Sequence, residues 1–147
     1  MLNIIRSLTV AVLACAALAG CDPAGDDVVG PEGGTIISRD GRLILEIPQG
    51  ALAEAIELRI EEVEQLPEGA LGPAYQVLPV GTVFEAPVHV LYDYGAEGMD
   101  LSPDQVALVA QKTDRWSMLA DRTIYEQDSL VSASSLYLSA FCIVDKE

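Results

Sequence analysis

The stretch Ile56-Glu57-Leu58-Arg59-Ile60-Glu61 alternates apolar and charged residues without interruption. Successive side chains of a β-strand point to opposite faces, so this period of two puts three apolar side chains on one face and three charges on the other. The stretch therefore predicts a half-buried antiparallel strand.

A hairpin is predicted just before this strand. Thr35–Ser38 and Arg42–Ile47 are short runs rich in apolar residues, and Arg39-Asp40-Gly41 separates them. Asp-Gly favours the positive φ angles of a tight hairpin turn. Pro48-Gln49-Gly50 then ends the second run.

The rest of the chain repeats this pattern of short apolar runs between turn residues, with a turn about every ten positions. Pro87 lies inside one run and predicts a strand start or an edge strand, because proline lacks the N–H that a sheet ladder needs. The final run is apolar in both phases, which predicts burial on both faces or a bulge. These runs predict an all-β fold, an antiparallel β-sandwich of about nine strands; the later ones are Tyr75–Leu78, Val83–Tyr92, Val106–Gln111, Trp116–Leu119, Leu130–Ala133 and Leu136–Val144.

Composition limits the size of the domain and its partners. The chain has 147 residues, of which 50% are hydrophobic, enough for one domain with its own core. Acidic residues number 23 against 8 basic residues, a formal net charge of -15. Nucleic acids and anionic membrane surfaces attract cationic proteins, so the charge argues against both as partners.

The N-terminus has the features of an export signal. Met1–Arg6 carries one positive charge, and Ser7–Ala17 is an apolar run too short to cross a bilayer, which takes roughly 20 residues. Leu18-Ala19-Gly20-Cys21 then resembles the bacterial lipobox. The resemblance implies signal cleavage between Gly20 and Cys21, a diacylglyceryl thioether on Cys21, and N-acylation of the new terminus with a fatty acid such as palmitate.

This reading divides the chain into a signal peptide at 1–20, a lipidated cysteine with a flexible acidic tether at 21–28, and a domain at 29–147. Two or more acyl chains anchor a protein stably, so the lipid bilayer is the expected partner of acylated Cys21. The expected location is the bacterial cell membrane or the outer membrane, with the domain in the periplasm or at the cell surface. Asp22 resembles an inner-membrane retention signal of enterobacteria, and the choice of membrane and leaflet stays open.

The signal peptide would also remove Cys15, so Cys142 is then the one remaining thiol and the domain is predicted to have no internal disulfide.

Three stretches of the mature chain together resemble the ZU-five domain of ankyrins, zonula occludens scaffolds and netrin receptors, which also occurs alone in bacterial lipoproteins. They are Val29–Thr35 with its Gly-Gly pair, Leu45–Leu52 with Ile-Pro-Gln-Gly-Ala-Leu, and Phe84–Val90 with Phe-Glu-Ala-Pro-Val. The resemblance spans about 29–144 and implies a β-sandwich. It also implies a domain that binds other proteins.

Candidate reactive groups are few. His89 is the one histidine of the chain and is out of phase with its apolar neighbours, which predicts an exposed strand residue and no zinc site. Cys142 is predicted to be an inert buried thiol, and Trp116 to pack between the sheets, with sugar stacking as the alternative. Four acidic residues of one loop could chelate calcium, but their spacing fits no EF-hand and a solvated acidic loop is preferred; they are Asp93, Glu97, Asp100 and Asp104.

Some ZU-five-like domains cleave themselves at a His-Phe-Ser motif, and the matching stretch here is Tyr137-Leu138-Ser139. A serine nucleophile needs a base, and the phenol of Tyr137 is a poor one, so we expect an uncut chain. We expect no catalytic residues, no cofactor and no enzymatic activity. The predicted function is a non-catalytic protein-interaction or structural domain of the cell envelope, with an unknown envelope protein or polysaccharide as partner. The alternative is a carbohydrate- or calcium-dependent ligand-binding module.

Overall fold

The computed structural model describes residues 26–95 and 101–146. These residues form eleven β-strands and one turn of 3-10 helix at Pro103–Gln105. The strands are β1 (Asp26–Val29), β2 (Gly34–Ile37), β3 (Leu43–Ile47), β4 (Ile56–Val63), β5 (Ala74–Leu78), β6 (Val83–Asp93), β7 (Val106–Lys112), β8 (Arg115–Met118), β9 (Thr123–Tyr125), β10 (Leu130–Tyr137) and β11 (Ala140–Asp145). The fold is therefore all-β, as predicted.

The strands form two antiparallel sheets that share one core. The first sheet has the order β1-β4-β5-β11-β7-β8, and the second has the order β2-β3-β6-β10-β9. Both sheets contribute to one buried cluster, in which Tyr75 and Phe141 of the first sheet and Tyr92 of the second are among the largest fully buried side chains. Two open sheets around a common core fit a β-sandwich.

The alternating stretch of the sequence forms β4 as predicted. Leu58 is fully buried, whereas Glu57 and Arg59 are exposed on the other face. β4 pairs with β5 on one side and with β1 on the other. Its apolar face therefore contributes to the core from a strand one position in from the edge of the sheet.

The β2–β3 hairpin also forms, with a different turn from the one the Asp-Gly pair favours. Gly41 has φ +78°, but Asp40 is not among the residues with positive φ. The Gly41 N–H donates to the Ser38 carbonyl at 2.8 Å, and the Ser38 N–H donates to the Leu43 carbonyl at 2.8 Å. This is a longer loop that ends on one left-handed glycine.

The expected tether overlaps the first strand. Residues 26–28 of the expected tether at 21–28 belong to β1, which begins at Asp26 and pairs along its whole length with β4. In the backbone register Asp26 is opposite Arg59. The predicted signal peptide at 1–20 and Cys21 lie outside the described residues.

Pro87 does not mark a strand start or an edge, because β6 runs unbroken from Val83 to Asp93 in the middle of its sheet. The β3 ladder ends at the Glu46–His89 pair, and the β10 register shifts between the pairs at Val88 and Val83. The missing N–H thus falls in a local irregularity of the ladder, where proline is tolerated.

Other strands differ from the prediction in number. β1 and β9 were not predicted, and the expected run 136–144 is split between the end of β10 and β11. β11 is buried on both faces between β5 and β7, as its two-phase apolar pattern predicts. No helix in the described residues is long and apolar enough to cross a membrane.

Candidate functional site

The acidic loop is described only in part, since Glu97 and Asp100 lie outside the described residues. Asp93 ends β6, and its Oδ1 accepts a hydrogen bond from the Gly95 N–H at 2.8 Å. Asp104 is exposed in the 3-10 turn. Within 26–95 and 101–146, no three His, Cys, Asp or Glu side chains are grouped closely enough to hold a metal ion.

An exposed aromatic residue lies next to the start of this loop. Tyr125 of β9 is opposite Leu130, which is opposite Asp93 in the same sheet. The Tyr125 side chain is 47% exposed. Neighbouring strands are about 4.8 Å apart, so the backbones of Tyr125 and Asp93 are roughly 10 Å apart. Because the two residues are in register across β10, their side chains project from the same face of the sheet.

Trp116 does not pack between the sheets as predicted. It lies on the outer face of the first sheet, half-buried against the small cluster that includes Val109 and Cys142. Trp116 faces Gln111 near the far end of β7, whereas the acidic loop precedes the start of that strand at Val106. Trp116 is therefore about five residues along β7 from Val106, or roughly 17 Å.

Cys142 is fully buried in β11, as predicted. Its Sγ lies 3.4 Å from the carbonyl oxygens of both Gly72 and Ile143, either of which can accept the single thiol proton. Burial raises the pKa of Cys142 to about 12. Because the thiolate is the reactive form, this cysteine is protonated and unreactive at neutral pH.

The residues that match the self-cleavage motif lie at the junction of β10 and β11. Ser139 is 4% exposed, and its hydroxyl donates to the Ala140 carbonyl at 3.0 Å. Tyr137 is half-buried, with the Lys112 ammonium 6.0 Å from its ring centre. His89 is exposed on β6 opposite Glu46 and Ser134, so its neighbours in the sheet do not include Ser139.

A groove between the two sheets was not predicted from the sequence. It has a volume of about 460 Å³ and lies between the β2–β3 turn and β4, where it is lined by Ser38, Arg39, Asp40, Ile60, Glu61, Glu62 and Tyr75. Asp40 anchors one wall. It accepts hydrogen bonds from the hydroxyl of Ser38 at 2.7 Å and from the hydroxyl of Tyr75 on the opposite sheet. The only sequence signal was the Ser38-x-Asp40 spacing of a capped turn, since Tyr75 is 35 positions further along the chain.

The Asp40–Tyr75 contact fixes the charge state of both groups. Partial burial by itself raises the pKa of Asp40. The opposing effects are larger and lower that pKa overall; they are the hydrogen bonds from Tyr75, Ser38 and the Arg42 N–H, and the charge of Arg42. Burial and the bond to Asp40 raise the pKa of Tyr75. A carboxylate and a neutral phenol therefore link the sheets at this end of the fold.

Two of the four charged residues that line the groove are paired with arginines. Asp40 has the Arg42 guanidinium at 3.9 Å, and Glu61 has that of Arg59 at 3.2 Å. Arg39 is a further cation on the wall, alongside Glu62. With Arg42 and Arg59 counted, the groove has close to no net charge. The Asp40–Tyr75 hydrogen bond in its wall holds the β2–β3 hairpin against the other sheet.

A second, apolar groove lies over the β10 irregularity. It has a volume of about 260 Å³ and is lined by Pro87, Leu119, Ser134, Ser135, Leu136 and Tyr137. Leu136 is 50% exposed, and Val83, which is opposite Tyr137 in the register, is 73% exposed. Val80 is also exposed, in the adjoining β5–β6 turn whose Gly81 N–H donates to the Leu138 carbonyl. We call Val80, Val83, Leu136 and this groove the apolar patch.

Comparison with known proteins identifies no family. No family model matches the chain, and no curated protein matches it. The resemblance to ZU-five domains therefore rests on the residues quoted above.

Proposed function

We propose that this protein is a bacterial lipoprotein whose ZU-five-like β-sandwich domain binds another protein, or supports one structurally, in the cell envelope. Its lipid anchor is Cys21 in the lipobox-like stretch Leu18-Ala19-Gly20-Cys21. The anchor connects to the first sheet at an edge strand, because β1 begins at Asp26 and only four residues separate it from Cys21. Five peptide units span at most about 18 Å, so the domain would be held close to the membrane.

The observation that carries the interaction role is the apolar patch. Scattered apolar side chains are normal on a protein surface, but neighbouring ones that border an apolar groove are typical of contact surfaces. Val83 is among the most exposed large apolar side chains of the described residues. The patch therefore favours a partner that buries it.

Photo-crosslinking in living cells tests this role. A photoreactive amino acid at Val83 should give a discrete crosslinked species in the membrane fraction, and Leu136→Glu should abolish it by placing a charge in the contact. The control is the same photoreactive residue at Glu57, which is exposed on the outer face of the first sheet. Equal crosslinking from Val83 and Glu57 would contradict the proposal.

Metabolic labelling tests the anchor. An alkyne fatty acid should label the natural chain and the Cys142→Ala variant, whereas Cys21→Ala should carry no label. Label retained by Cys21→Ala would rule out the lipoprotein assignment.

A ligand-binding module is the second candidate, and Tyr125 is the observation that favours it. Exposed aromatic side chains stack on sugar rings, and carboxylates such as that of Asp93 are calcium ligands. Calcium titration followed by the fluorescence of Trp116 and the tyrosines should show a saturable change that Tyr125→Ala or Asp93→Asn weakens. No response at millimolar calcium, with or without added envelope polysaccharide, would remove this candidate.

A further inference from the structure

β8 leaves one side of the first sheet open. It is the last strand in the order of that sheet, and among the described residues only β7 pairs with it. The Leu119 N–H donates to the Leu108 carbonyl at 3.0 Å. Backbone direction alternates along an antiparallel ladder, so the N–H and C=O groups of Trp116 and Met118 point away from β7 toward the open side.

The two faces of β8 differ in chemistry. Trp116 and Met118 project from the outer face, where Met118 is 64% exposed. Arg115 and Ser117 project from the opposite face, and both are exposed. A strand added beside β8 would therefore meet apolar side chains on one face and a cation on the other.

Among residues 26–95 and 101–146, no carboxylate forms an ion pair with the cation on this edge. Arg115 is directly opposite Lys112 in the β7–β8 register, and like charges in that position destabilise a sheet. Neither residue belongs to an ion pair in the described part of the chain, and the Lys112 ammonium lies 6.0 Å from the ring centre of Tyr137. In a mature chain of 23 acidic and seven basic residues, two adjacent unpaired cations make a local site for a carboxylate.

The position of β8 leaves it accessible in an anchored protein. β1, which adjoins the anchor, is the other edge of the same sheet. Five strand spacings separate the two edges, roughly 24 Å. The other three sheet edges are less suitable, since β1 carries Asp26 and Asp27, β9 has three residues, and β2 carries no charged residue.

We propose that β8 binds an extended segment of a partner protein as an added β-strand, in which carboxylate and aliphatic residues alternate. The aliphatic side chains pack on Met118 and Trp116, the carboxylates pair with Arg115 and Lys112, and the backbone completes the open ladder. This assignment rests on the proposed function and names a surface and a partner chemistry for it.

Peptide binding to the full chain, purified from membranes in detergent, tests the assignment. The probe is a fluorescein-labelled heptapeptide of alternating Val and Glu, and the comparison peptide alternates Val and Lys. Saturable binding of the Val–Glu peptide below about 1 mM is expected. Net charge alone favours the Val–Lys peptide, so equal or tighter binding of that peptide would contradict the proposal, as would no saturable Val–Glu binding.

Two pairs of variants separate edge pairing from simple charge attraction. Met118→Pro removes an N–H that faces the open side without removing a bond to β7, so it should weaken binding about tenfold or more. Met118→Ala keeps the N–H and should weaken binding less. Arg115→Glu should also weaken binding about tenfold, while Arg39→Glu, the same charge change in the β2–β3 turn, should have little effect. Circular dichroism checks that each variant is folded.

Binding that falls with Arg115→Glu but not with Met118→Pro would indicate a surface charge effect and overturn the strand-addition model. Failure of the peptide to bind would leave the fatty-acid labelling and the Val83 crosslinks unchanged. The two proposals therefore fail separately.

Discussion

At the scale of single residues, the contact between Asp40 and Tyr75 joins the two sheets. The Asp40 side chain is 38% exposed, so water would replace part of a lost hydrogen bond. Tyr75→Phe should therefore lower the free energy of unfolding by about 1 kcal/mol, within the range for a hydrogen bond to a charged group after that discount. Urea denaturation measures the change. Tyr137→Phe is the control, because Tyr137 is only half-buried and its phenol hydroxyl donates no hydrogen bond within the described residues; an equal loss there would contradict the role of Asp40.

The same contact predicts a pH dependence. The pKa of Asp40 is lowered in the folded chain, so its contribution to stability is complete above the ordinary carboxyl pKa near 3.8 and is lost as the pH falls through the folded value. The difference in unfolding free energy between the natural chain and Asp40→Asn should thus shrink as the pH is lowered from 6 toward about 3. A difference that stays constant over this interval would show that Asp40 is not charged in the contact.

Sequence alone predicts half of this contact. Ser38, Asp40 and Gly41 mark a turn by local chemistry, whereas Tyr75 reaches them only because the sheets stack face to face. Trp116 shows the same limit, since its size suggests the core but its parity in β8 places it on the outer face. Residue type predicts burial well, and the choice between the two faces of a strand depends on a register that local sequence does not contain.

At the scale of elements, the passage from β1 to β2 depends on Gly33. This residue has φ +80°, and a Cβ on it would overlap the carbonyl oxygen of Ile47. Gly41 has a similar φ of +78° but nothing within 4 Å of its Cβ position. Gly33→Ala should therefore destabilise the fold by about 2 kcal/mol or more, against about 1 kcal/mol for Gly41→Ala, which carries only the left-handed backbone penalty. Thermal melts compare the two; equal shifts would show that the overlap is relieved at no cost.

Strong periodic patterns predicted their strands, as β4 and β11 show. The alternation in β4 matches its single buried face, and the continuous apolar run in β11 matches burial on both faces. β1 and β9 have four and three residues and little apolar pattern, so they form because a neighbouring strand supplies the ladder. Pro87 also shows the effect of neighbouring strands. It is compatible with a central strand because the ladder to β10 is interrupted where the proline lacks an N–H.

At the scale of the whole molecule, the folded domain depends on its core for stability. Cys142 is a buried free thiol, and in the proposed lipoprotein Cys21 carries the lipid. The midpoint of thermal unfolding should therefore be the same with and without a reducing agent, and the far-ultraviolet circular dichroism should be dominated by strand. A midpoint lowered by reductant would indicate a disulfide between chains.

Intact mass spectrometry of the protein extracted from its own membranes tests the central claim, an anchored and uncut domain. The predicted result is one species that begins at Cys21, carries diacylglycerol and an amide-linked acyl chain, and is not cut between Leu138 and Ser139. The contradicting results are a chain with unmodified Cys21 or a start elsewhere in the leader. Two fragments that divide between Leu138 and Ser139, and that disappear in Ser139→Ala, would likewise contradict it.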